Sequence, residues 1–176
     1  MLMKKAIKSI VSITLLASMA FSMAGCAKKI TPVKKNDFKD AIEEVFDIDD
    51  DDYWEYDGDD YTSISYYDHD YYVVMYQYDD ADDALDDFEE IYDNYEDMVE
   101  DKEFKGKKKA VFNEKAGYGY IVLNGESESD DFYDDDIYGG IYWADDTVIV
   151  VLVLSDKDKY TENIDAVISA LGYPKP

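Results

Sequence analysis

Hydrophobic and polar positions repeat along this chain with two different periods, and the changes of period mark out its elements. Phe38, Ala41, Ile42, Val45 and Phe46 recur every three or four residues, which predicts a helix over 36–48 with Asn36 as its cap. An acidic turn follows over 49–60 and holds Tyr53, Trp54 and Tyr56. Residues 61–67 and 71–78, rich in β-branched and aromatic side chains, read as two strands joined by a hairpin turn at Asp68-His69-Asp70. The clearest stripe runs through Ala81, Ala84, Leu85, Phe88, Ile91, Tyr92, Tyr95, Met98 and Val99 and predicts a helix over 80–103. Six aspartates between Asp79 and Asp87 open that helix. Lys102, Lys105 and Lys107 to Lys109 gather at and beyond its end, with Gly106 as terminator, a polarity that suits the helix dipole.

Further strands are expected over 109–113, 118–123, 137–143 and 147–154, with an acidic loop over 126–136 and a turn at Ala144-Asp145-Asp146. Residues 148–154 are apolar at every position, so this strand belongs at the centre of the sheet. A last helix over 161–171 turns Ile164, Val167, Ile168 and Leu171 inward and stops at Gly172 and Pro174. Gly117, Gly119, Gly139 and Gly140 read as strand irregularities or bulges. The order α-ββ-α-ββββ-α predicts an α+β fold, a mainly antiparallel sheet of about six strands with two to three helices packed on one face. There is no internal repeat, and residues 37–176 read as one acidic domain.

Composition narrows the classes of function. The 176 residues carry 43 acids against 17 bases, all of them lysine, for a formal charge of −26. A chain this acidic cannot coat a phosphate backbone, which excludes nucleic acid as a partner. One cysteine allows neither an internal disulfide nor a cysteine-based zinc site. Yet 47% hydrophobic residues, with 18 tyrosines, is too apolar for a disordered acidic tail.

The leader carries the most specific signal. Lys4, Lys5 and Lys8 precede an apolar stretch from Ile10 to Ala20, too short for a membrane span, and small residues then lead into the sole cysteine. Met23-Ala24-Gly25-Cys26 resembles the lipobox of bacterial lipoproteins, with methionine where leucine is commonest. The resemblance implies removal of residues 1–25 and acylation of Cys26, which would anchor the chain to the outer face of the cell membrane. It implies nothing about the domain that follows. Residues 26–36, with Lys28, Lys29, Lys34 and Lys35, read as a basic tether beside an anionic surface. The body from Asp37 onward holds ten lysines against all 43 acids and should be repelled by that surface. The absence of arginine suggests an AT-rich genome, a composition that fits a monoderm bacterium.

Catalytic chemistry is hard to assemble from these residues. His69, the only histidine, falls in a turn, no phosphate-cradling loop is present, and without arginine no bidentate clamp for carboxylate or phosphate exists. The expectation is a non-catalytic binding or interaction domain, its partner an envelope glycan or a protein. Strand alternation places Tyr72, Tyr76 and Tyr78 on one face, and pairs Tyr118 with Tyr120 and Tyr138 with Tyr142. If helices cover one side only, these rings form an open binding face. The alternative is weak calcium binding, with Asp49, Asp51, Asp57, Asp59, Asp134 and Asp136 as candidate ligands and no other cofactor. The spacing around Gly58 does not make an EF-hand, since Tyr53 and Ile64 fall where acids are needed. A small carboxylate-based hydrolase is a further alternative.

Overall fold

In a computed structural model, which describes residues 28–49, 51–128 and 135–176, three helices pack on a seven-stranded antiparallel sheet. In chain order the elements are α1 (Lys35–Phe46), β1 (Trp54–Asp57), β2 (Tyr61–Tyr67), β3 (Tyr71–Tyr78) and α2 (Ala81–Glu100). Then come β4 (Phe104–Asn113), β5 (Tyr118–Ser127), β6 (Asp135–Ala144), β7 (Thr147–Val153) and α3 (Lys157–Ala170). The strand order is β1-β2-β3-β7-β6-β5-β4, so β7, apolar on both faces, is the central strand as its sequence requires. Two meanders, β1 to β3 and β4 to β7, meet along β3 and β7, and α2 carries the chain across to the far edge between them.

The α+β class and the strand-rich order are those expected from the sequence, but the helices do not share a face. Phe38 and Ile42 of α1 and Ile164, Val167 and Ile168 of α3 pack on Val73, Met75, Tyr120, Val122, Tyr142, Ile149 and Val151. Ala84, Phe88, Tyr95 and Met98 of α2 pack on the opposite side, against Ile121, Leu123, Ile141, Trp143 and Val148. The fold also begins earlier than Asp37. Ile30 and Val33 are buried in the α1–α3 layer, and the Tyr173 hydroxyl donates to the Thr31 carbonyl at 2.8 Å.

Local chemistry accounts for several boundaries. The Asp80 side chain accepts from the amide of Asp82 at 2.9 Å and caps α2. At its other end Lys102 takes the left-handed position (φ 67°), with its amide on Val99 O and that of Glu103 on Met98 O. Gly106 is therefore not the terminator but part of β4, where it lies opposite Gly125. Asp68 Oδ1 accepts from the amides of Asp70 and Tyr71 at 2.6 and 2.8 Å, closing the β2–β3 hairpin as an Asx-type turn.

Candidate functional site

The helix that crosses the sheet also decides which part of it stays bare. On its side α2 covers β5, β6 and β7 and reaches β3 only at one end, so the β1–β2–β3 half remains largely uncovered. Register fixes what that half displays. Trp54 lies opposite Ser65, and Tyr56 opposite Ser63, which in turn lies opposite Tyr76; Tyr67 faces Tyr72, and Tyr61 faces Tyr78. Directly opposed residues project from the same face. The two serines form the floor of a trough about 10 Å across, the width of two strand spacings. Trp54 and Tyr56 form one wall and Tyr72 and Tyr76 the other, with Tyr67 and Tyr61 at the two ends.

These rings are held as well as displayed. Tyr61 sits 5.3 Å from Tyr56 and 5.8 Å from Tyr76 between ring centroids, and Tyr67 packs edge-on to Tyr72 at 6.5 Å. The hydroxyls of Tyr72 and Tyr76 are 3.4 Å apart. Burial and that neighbouring hydroxyl push the Tyr76 phenol far above its usual range, so it stays neutral. On the reverse face Glu55 is clamped by Lys35 at 2.8 Å and by Lys39, which ties the outer strand to α1 and holds its carboxyl below the usual range. Trp54 is 77% exposed, Tyr67 63% and Tyr56 54%, the largest values among the described large hydrophobics.

At the end of the trough next to α2, Tyr61, Tyr76 and Tyr78 meet Asp87, Glu90 and Ile91 around a cleft of about 360 Å³. The Tyr78 hydroxyl donates to Asp87 Oδ2, and burial together with this bond drives its phenol far above the normal range. The acids of the β1–β2 turn, Asp57, Asp59 and Asp60, are all exposed nearby in sequence to the trough strands.

The tyrosines predicted as one binding face divide between two environments. Tyr72 and Tyr76 stand half-buried in the trough wall, whereas Tyr78 is buried beneath α2. Tyr118, Tyr120, Tyr138 and Tyr142 point to the other side, where α1, α3 and the C-terminal residues cover them. The open-face reading is corrected for these four, because helices cover both sides of that half of the sheet. Tyr138 donates to Asp165 at 2.6 Å, and Tyr142 to the Pro174 carbonyl at 2.8 Å. Tyr56, Tyr61, Ser63, Ser65 and Tyr67 were not expected at a site. Strand β2 was expected, and its alternation, with Ile64 buried and Tyr66 packed on Phe46 on the opposite face, was the signal that could have marked Tyr61, Ser63, Ser65 and Tyr67 as sharing the open one.

Asp49, Asp51, Asp57 and Asp59 are separately exposed, Asp136 pairs with Lys157 at 2.7 Å, and Asp134 lies outside the described residues, as does Cys26. Among the described residues no three acidic, histidine or cysteine side chains converge to hold a metal ion. His69 is exposed at the hairpin turn. Comparison with protein-family models, curated proteins and solved structures returns no match to this chain.

Proposed function

We propose that the protein is a lipid-anchored, non-catalytic binding domain on the outer face of the cell membrane, and that its trough holds an uncharged or cationic glycan strand of the envelope. The lipid anchor is supported by the leader and its cysteine at position 26. The observation that carries the binding role is the exposure of Trp54, Tyr56 and Tyr67 around a serine floor, on the half of the sheet that α2 leaves bare. Flat rings offer apolar area to the C–H faces of sugar rings at little entropic cost, while Ser63, Ser65 and the phenols can meet ring hydroxyls. Net charge selects the ligand, because a body with ten lysines against 43 acids repels phosphate-bearing polymers but not neutral or cationic ones. The non-catalytic reading is supported by the sequence, whose only histidine falls in a hairpin turn and which holds no arginine to clamp a charged substrate.

The test uses the full chain purified in mild detergent and titrated with soluble N-acetylglucosamine oligomers and with muramidase-released envelope fragments. A saturable change in the emission of Trp54, lost in Tyr67→Ala, is expected, with binding heat by calorimetry lost in both Trp54→Ala and Tyr67→Ala. Unchanged binding in both variants would remove the trough from the function. Binding to whole envelopes that survives muramidase but not protease treatment reassigns the trough to a protein partner. Incorporation of labelled fatty acid into the wild type but not Cys26→Ala tests the anchor.

A further inference from the structure

We propose that the cleft between α2 and the β2–β3 hairpin is a binding site for an organic ammonium group, a quaternary amine or the amine of a cationic ligand. The inference deepens the binding role and rests on it, because Tyr61 and Tyr76 belong to both trough and cleft. Its first support is the aromatic lining. Tyr61 contacts Tyr76 at 5.8 Å and Tyr78 at 5.6 Å, and all three line the cleft, presenting electron-rich π surfaces to whatever enters. Tyr61 and Tyr76, both half-buried, supply the accessible ring surface, whereas Tyr78 forms the buried back wall.

The second support is a pair of carboxylates facing those rings. Asp87 and Glu90, one turn apart on α2, complete the lining together with Ile91 and Val148. Tyr78 donates its hydroxyl to Asp87 Oδ2, which fixes that carboxylate at the cleft wall. A second recess of about 300 Å³ shares Tyr61, Tyr78 and Asp87 and adds Asp60, Asp83 and Asp86.

The third support is what does not neutralise these acids. Among the described residues the ion pairs are Lys35 and Lys39 with Glu55, Lys105 with Glu128, Lys108 with Glu96, Lys157 with Asp136, and Lys175 with Asp165. None of these lysines lines the cleft or the recess beside it. Lysine pairs with five carboxylates of the described residues, and those of the cleft are not among them; what faces them is aromatic rings. Rings plus uncompensated carboxylates favour a diffuse organic cation, which bonds to π surfaces and gives up hydration cheaply. A small hard ion would want converging oxygens instead.

The test pairs choline with 3,3-dimethylbutan-1-ol, which has the same shape and no charge, titrated into the 15N-labelled full chain at constant ionic strength. Choline is expected to shift the amides of Tyr61, Tyr76, Glu90 and Ile91 saturably, and the neutral analogue to bind at least about tenfold more weakly. Asp87→Asn keeps an acceptor for Tyr78 and should weaken choline about five- to tenfold while leaving the neutral analogue unchanged. Equal affinity for the two compounds would make the cleft merely apolar and overturn the proposal. Shifts spread over the acidic surface and reproduced by sodium chloride would reduce it to screening, and no shift at all would remove the site. None of these outcomes alters the response of Trp54 to sugar oligomers, so failure of the cleft and failure of the trough are told apart.

Discussion

The ring of Phe88 lies stacked on the indole of Trp143, with centroids 5.7 Å apart and planes inclined by 27°. Phe112 closes the group from β4, 5.9 Å from Phe88 and 6.2 Å from Trp143. The helix α2 and the strands β4 and β6 are thereby locked together, and α2 is held in the position that leaves the trough bare. Phe88→Ala should cost about 3–5 kcal/mol, a large part of the roughly 5–15 kcal/mol that holds a domain together. Urea unfolding is the measurement. A loss below about 1 kcal/mol would mean that the stack does not anchor the helix.

The two tryptophans should report separately on the protein. Trp54 is 77% exposed on the outer strand and Trp143 is 3% exposed in the core. Acrylamide should quench only the red part of the emission, and Trp54→Phe should leave a blue-shifted, poorly quenched band. That band should move to the red only when the domain unfolds. Equal quenching of both indoles contradicts the arrangement.

Alkali should destabilise the fold through a buried phenol. Burial in the α2 layer pushes the Tyr95 phenol up to about 12, above the ordinary value of 10.0. Because the folded state holds this proton more tightly than the unfolded one, the stabilisation is complete below pH 10 and is lost as the pH rises toward 12. This one group accounts for about 3 kcal/mol over that interval. Urea midpoints measured from pH 8 to 12 should fall, and Tyr95→Phe should make the fall shallower by one proton. An identical slope in the variant would assign the effect to other groups.

How far the sequence could be read depended on whether neighbours or periodicity decided a segment. Strands β2, β3 and β7 and the stripe of α2 follow from period alone, and their bounds match the expected ones to within a few residues. Strand β1 was hidden because acids flank it on both sides, and its exposed Trp54–Asp57 segment buries nothing that a pattern could show. Lys105 to Lys109 looked like charge following a helix. They lie in an edge strand instead, where lysine discourages pairing with other chains. What makes that segment a strand is its ladder with β5, where a Cβ on Gly106 or Gly125 would come within 2.7–2.8 Å of the Phe104 ring. The tyrosines were the hardest to sort. Their ring and hydroxyl suit both a core position with a hydrogen bond, as at Tyr142, and an open wall, as at Tyr67. Only the placement of α1, α3 and α2 separates the two.

Under the proposed acylation of Cys26, burial of Ile30 and Val33 would leave only residues 26–29 between the fold and the lipid. Such a segment reaches at most about 14 Å when fully stretched. On so short a stem, repulsion between the acidic body and an anionic bilayer cannot lift the domain into the surrounding medium. It can only swivel it, and the surface patches with the least negative charge, including the lysine-lined edge, would come to rest nearest the headgroups.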